Sequence, residues 1–567
     1  MRSLFIILVA FCSLQSQAQS PLVFQEFDLN TGWRNSDPMG FVVCNGKLFF
    51  TAVTATAGKE LWVSDGTTAG TNMVADLNPG TASSMVAYAS FSPIISPIVA
   101  VGTNVFFEAT DGTNGMELWA SNGTAAGTIM IKDLDPGPGS SNPIEWGSVV
   151  FNGKLIFTAT TAANGREVWI SDGTATGTQL LKDINPGSSD AFPTGYTIYN
   201  GKVYFSADDG TANSQLWATD GTPAGTTRIN PTIAIHSVGN FWVLGSQLLF
   251  FADNGTTGQE LWTTDGTGAG TKLVKDINPG TIGSFGVIPI PVTYDQYWVT
   301  FNGKAYFDAY TAANGYELWM TDGTAAGTSL VKDIRTGNLF SSPGNFVVYN
   351  NKLYFAAQDD NANRELWVTD GTTAGTTLAV DVIPGSAGGV SQTSIITLYK
   401  NHLYFNGFTT SPTDQQFYRS DATASGTAIF KPSATTVISP TVNTKEIIMY
   451  DSALYFLGNY NGDGAELWSL KDTSDGSISS GMVAGIHLQN NFTIYPNPSK
   501  GSFTLQVNNT DFKNGEIRVY DVMGKEIYKA VISNSKSQIK LNNAAKGIYQ
   551  VKLQLDNAIT TKQILIE

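Results

Sequence analysis

The chain is predicted to be all-β: a β-propeller of about nine four-stranded blades, with eight blades or two smaller rings as the alternatives, followed by a small β-sandwich. Three observations predict this. The stretch ELWVSDGTTAGT at residues 60–71 recurs with substitutions, placing a large aromatic at Trp62, Trp119, Trp169, Trp217, Trp262, Trp319, Trp367, Tyr418 and Trp468 at intervals of 45 to 57 residues. A period of about fifty marks stacked supersecondary units that cannot bury their apolar faces alone. Within a unit, as at 346–385, short runs of Val, Leu, Phe, Tyr and Trp alternate with Asn-Asn, Asp/Asn clusters and Asp-Gly, the strand-turn-strand pattern with no helical period. The ends are also complementary. The last unit reads ELWSLKDTSDGS and lacks a fourth strand, whereas PLVFQEF at 21–27 is a spare strand followed by DLNTG, the counterpart of DINPG elsewhere. Pairing the spare strand with the last unit would close the ring and remove two sheet edges.

Taken in order, residues 1–18 read as a cleaved signal peptide. Arg2 precedes an apolar run from Leu4 to Leu14, too short to span a membrane, and Ser16-Gln17-Ala18 places small residues before Gln19. Cleavage there removes Cys12 and leaves Cys44, so the mature chain would have no internal disulfide. Cys44 occupies a position held by Phe or Tyr in sister units, which predicts a buried thiol.

Residues 19–471 are the predicted propeller. Its hairpins, DGTxxGT, combine glycines that tolerate positive φ with Asp and Thr that bond local amides, and KDINPG ends the fourth strand before the crossover. After the signal peptide, residues up to 489 carry 21 Lys+Arg against 41 Asp+Glu, a net charge of −20. That charge disfavours nucleic acid and anionic membranes as partners. Residues 472–489 are Ser/Gly-rich and read as a linker. Residues 490–567, with 10 Lys+Arg and 6 Asp+Glu, alternate strands on a different pattern, as expected of a small β-sandwich.

Tyr495-Pro496-Asn497-Pro498, Gly501, Val519-Tyr520-Asp521 with Gly524, Lys546-Gly547-Ile548-Tyr549 and the terminal Lys562 to Glu567 carry a resemblance. Residues 490–567 resemble the type A C-terminal sorting domain of the type IX secretion system of Bacteroidetes. The resemblance implies the secretion machinery as a partner, export through the outer membrane, and delivery to the cell surface or medium. The body resembles proteins described by an ELWxxDGT repeat, which implies no chemistry.

One Trp per unit at one strand position is what packing between blades requires, so the repeated Trp set is assigned to the core. The repeated Glu (Glu60, Glu117, Glu167, Glu260, Glu317, Glu365, Glu466) and hairpin Asp are assigned to turns and strands, because catalytic carboxylates are singular rather than copied. The second-to-third-strand loops vary more. Asp208, Asp209, Asp359, Asp360 and Asp463 are candidate calcium ligands there, offering hard oxygens on short loops without an EF-hand spacing. Insertions at 81–101 and 281–300 account for the two longest intervals, and Tyr294, Tyr297 and Trp298 in the second are candidate exposed aromatics for a ligand. No catalytic residues are assigned. The expected function is non-enzymatic binding or adhesion toward an extracellular glycan or protein. The alternative is an extracellular glycosidase or lyase, which needs two carboxylates about 5 to 10 Å apart.

Overall fold

The computed structural model describes residues 22–472 apart from 32–33, 86–97, 212, 230–234, 286–297, 386–387, 392–393, 409–414, 431–446 and 460–463, and most of 492–566. Among the described residues the sole helical segment is the single 3-10 turn Ala125–Gly127, and the strands pair antiparallel.

Nine four-stranded sheets fall between Leu22 and Asp472 among the described residues, consistent with propeller blades. In eight of them the strands pair in chain order, as in Ser148–Phe151, Lys154–Thr161, Gly165–Ser171 and Gln179–Lys182 of unit 3. The ninth contains Ile447–Tyr450, Ala453–Gly458 and Glu466–Asp472, and its fourth strand is Leu22–Phe27 from the opposite end of the chain. Leu22 lies opposite Asp472 and Phe27 opposite Leu467.

Alternation along each strand sends large side chains to both faces, and each face meets a neighbouring unit. The cores are therefore shared between units. Leu118 and Ile131 of unit 2 pack with Phe157 and Trp169 of unit 3. Tyr455 and Leu467 of unit 9 pack with Phe50 and Trp62 of unit 1, with Phe27 in the same cluster. Tyr hydroxyls repeat the link: Tyr199 donates to Ser246 O, Tyr349 to Asn401 O, Tyr399 to Ser452 O, and Tyr450 to Gly46 O of unit 1. Cys44 stands at this Tyr position, buried, with Sγ 3.9 Å from Gly102 O. This is the buried thiol the sequence led us to expect.

The hairpin motif is accounted for residue by residue. Asp65 Oδ1 accepts from the Thr67 amide (2.9 Å) and hydroxyl (2.7 Å), and Gly70 N donates to Thr67 Oγ1 (2.9 Å). Ser64 Oγ meets Thr71 Oγ1 at 2.6 Å. A Cβ on Gly70 would lie 2.0 Å from Asp65 Oδ1, so only glycine closes this loop. The same bonds recur at Asp172, Asp220, Asp265, Asp322, Asp370 and Asp421.

In the C-terminal region, Phe492–Tyr495, Ser502–Val507 and Lys536–Lys540 form one sheet, and Glu526–Ile532, Gly515–Tyr520, Gly547–Leu555 and Ala558–Ile566 form another. Phe503, Leu505, Ile517, Val551 and Ile564 share one core between them, the two-sheet arrangement expected of the sandwich. No helix among the described residues is long and apolar enough to cross a membrane.

Candidate functional site

The repeated polar side chains serve the framework. Each repeated Trp is 4% to 8% exposed and packs into a core shared by two units. Lys132, Lys275 and Lys332 of the KD motif donate from Nζ to Thr178 O, Thr328 O and Thr376 O of the next hairpin. Lys275 and Lys332 also lie 5.9 Å from the ring centroids of Trp319 and Trp367.

Each repeated Glu is buried and ties down the crossover that leaves its unit. Glu117 accepts from Leu134 N, Ser141 N and Ser141 Oγ; Glu317 accepts from Ile334 N, Arg335 N, Ser341 N and Ser341 Oγ. The partners stand 17 and 24 residues ahead in both, with Arg335 18 ahead as a further partner of Glu317. Glu466, in the last unit, accepts from Leu29 N (3.0 Å) and Ser36 N (3.1 Å) at the other end of the chain. Leu29 and Ser36 have the same seven-residue separation as Leu134 and Ser141. Burial pushes Glu60, Glu117, Glu260, Glu317 and Glu466 up to about 7 and Glu167 and Glu365 up to about 8, opposed by the hydrogen bonds they accept.

The sequence-predicted sites fare unevenly. Tyr294, Tyr297 and Asp463 lie outside the described residues. Trp298 corrects the expectation of an exposed aromatic. It opens the strand Trp298–Phe301, is 5% exposed, and packs with Phe251 and Phe307 at ring centroid distances of 4.9 and 4.7 Å. Pairing with Phe307 across the sheet turns its ring inward.

Asp208 accepts from Gly210 N, and Asp209 accepts from Thr211 and Gln215 and pairs with Arg228 at 3.1 Å. Asp359 accepts from Asn361 N and Asn363 N, and Asp360 from Thr336 N. Donors from the protein thus face all four carboxylates. No group of three or more His, Cys, Asp or Glu able to hold a metal is brought together among the described residues. Among the described residues, the one non-repeated carboxylate raised well above its ordinary range is Asp308, through burial and then the nearby Glu317. Glu317 already has both oxygens engaged, so the two do not form a free acid/base pair.

A different cluster is exposed and departs from the repeat. Trp146 and Phe192 are 39% and 47% exposed, and the Arg166 guanidinium lies between them, 4.2 Å from the Trp146 centroid and 5.0 Å from that of Phe192. Trp146 sits on a tight turn where Gly147 N donates to Ile144 O and Ile144 N to Thr158 O. Phe192 is fixed on both sides: Ala191 N donates to Arg166 O, and Thr158 Oγ1 donates to Pro193 O. Sequence reasoning missed this cluster. Its signal was Trp146, one of the tryptophans outside the repeated position.

Residues 493–567 match the family model described as a secretion system C-terminal sorting domain. The chain is therefore exported to the cell surface or secreted. No curated protein matches. Among solved structures, the chain is similar to PorZ, a surface component of the type IX secretion system of Porphyromonas gingivalis, at 11% identity over 93% of this chain and 75% of that one, TM-score 0.34. It is similar to puromycin hydrolase at 13% identity over 67% of this chain and 60% of that one, TM-score 0.35. It is also similar to the extracellular domain of BT4673 from B. thetaiotaomicron at 9% identity over 94% and 80%, TM-score 0.22.

Proposed function

We propose that residues 19–471 form a closed nine-bladed propeller, delivered by the sorting domain at 490–567, that works outside the cell as a non-enzymatic binding or adhesion module for a polysaccharide or protein. The observation that carries the reading is that the repeated Glu, Asp and Trp are each engaged in the framework, leaving the departures from the repeat free for recognition. Closure is supported by the Leu22–Phe27 pairing, by the core shared between units 9 and 1, and by Glu466 bonding to Leu29 and Ser36. Binding energy on such a rigid scaffold concentrates in loops.

The test uses the full chain from Gln19, screened against soluble polysaccharides and extracellular matrix proteins with assays for saturable binding and for product release. Saturable binding without turnover is expected. Release of product from a polymer would replace this reading with the enzymatic one.

A further inference from the structure

We propose that Trp146, Arg166 and Phe192 form the subsite for a neutral sugar residue of an extracellular polysaccharide, an inference that rests on the binding reading above. Three independent features of the cluster point to a ligand.

The first is backbone strain at an exposed aromatic. The residue 25 positions after the repeated Glu has positive φ in several units, at Asp37 (42°, counted from Glu466 across the closure), Asn142 (42°), Phe192 (50°) and Ser342 (43°). Asp, Asn and Ser suit that conformation, whereas a bulky aromatic there is an outlier. Phe192 nevertheless holds it while remaining 47% exposed. Strain of this kind clusters at ligand clamps. Ile144, two residues before Trp146, also has positive φ (74°), but it is buried in the core between units 2 and 3, where packing offsets the strain.

The second is composition. Two partly exposed aromatic rings are held in place by main-chain bonds, each with the Arg166 guanidinium over one face; the guanidinium donates from Nε to Thr160 Oγ1 (3.4 Å) and forms no ion pair among the described residues. Aromatic surface with a few fixed polar groups is the make-up of a small-molecule site. Sugar C–H faces pack on such rings, and hydroxyls take N–H donors. Glu145, which accepts from Trp146 Nε1 (3.1 Å), and Asp190, which accepts from Arg166 N (2.8 Å), supply carboxylates at the rim. One cation against two carboxylates, on a body of net charge −20, repels a polyanion and fits a neutral glycan.

The third is location. In a four-stranded antiparallel unit the second-to-third turn and the crossover to the next unit share one end, opposite the DGTxxGT hairpins. Trp146 and Phe192 stand on two successive crossovers, and Arg166 is the second residue of the third strand of the unit between them. The long insertions at 81–101 and 281–300 are crossovers of the same class. The cluster therefore lies at the crossover end of units 3 and 4, away from the DGTxxGT hairpins.

The experiment titrates the full chain from Gln19 with laminarin, dextran, galactomannan and arabinoxylan, and with polygalacturonate and heparin as the anionic arm, by affinity electrophoresis and calorimetry. At least one neutral glycan should bind, and Trp146→Ala and Phe192→Asn should each weaken it tenfold or more. Phe192→Asn suits the positive φ and should keep the native Tm, separating lost recognition from lost folding. Binding to polyanions alone, or to no glycan, overturns the proposal. Neutral glycan binding unaffected by both substitutions overturns this subsite while leaving the binding reading intact. Polymer cleavage contradicts the non-enzymatic reading separately.

Discussion

At the scale of single residues, the ELWxxDGTxxGT stretch separates into roles that can be tested one by one. Gly270 is required because a Cβ would fall 2.1 Å from Asp265 Oδ1. Gly270→Ala should lower stability by about 1 to 3 kcal/mol, the usual cost of overpacking, measured as a shift in the denaturant midpoint. Trp262, at 4% exposure, fills the core between units 4 and 5, so Trp262→Ala should cost about 3 to 5 kcal/mol. Equal stability of wild type and Trp262→Ala would contradict the packing role. Cys44 is buried and its thiol is pushed up to about 11, so it should react with thiol reagents only on unfolding. These roles were legible because a residue copied in each unit must do something each unit needs. Trp298 was misread because an aromatic after a long insertion resembles a loop residue, whereas its pairing with Phe307 makes it a strand residue facing the core.

At the scale of the element, two sets of carboxylates set opposite limits on stability with pH. In the folded state the buried Glu set titrates at about 7 to 8, above the ordinary 4.5. The folded chain holds those protons more tightly than the unfolded one. Their contribution is full below about 4.5 and is lost as pH rises through 7 to 8. The hairpin set, Asp65 and its copies, is held below the ordinary 3.8 chiefly by the Thr hydroxyl and amide bonds. Its contribution is present above that value and lost as pH falls through lower values. The Tm of the full chain should therefore peak at mildly acidic pH and fall on both sides, with Glu117→Gln flattening the alkaline limb. A Tm rising steadily from pH 5 to 8 would contradict this account. Since Asp208, Asp209, Asp359 and Asp360 face protein donors, a chelator should leave Tm unchanged; a drop of several degrees would restore calcium as a ligand. The strands and hairpins were legible from turn chemistry. The ties from each repeated Glu to groups 17 to 24 residues ahead on the crossover were not, because they join elements that only the crossover brings together.

At the scale of the whole molecule, the account depends on the first strand belonging to the last sheet. Complementary ends made this legible in sequence, since DLN at 28–30 repeats the DIN of other units. The exposed Trp146, Arg166 and Phe192 cluster was not legible, because its three residues come from separate crossovers and a strand and are united only by folding. The most direct measurement is a disulfide placed across the proposed closure. Gln25 lies opposite Ser469, and facing residues of antiparallel strands have Cα atoms about 4.5 to 5.5 Å apart, within disulfide reach. In a chain carrying Gln25→Cys and Ser469→Cys, mild oxidation of the folded protein should give a near-quantitative cross-link, seen by peptide mass mapping, with a higher Tm. Free thiols at both positions in the folded, oxidised protein, or a cross-link no more frequent than in the two-residue-offset pair Gln25→Cys and Lys471→Cys, would show that the first strand does not complete the ring.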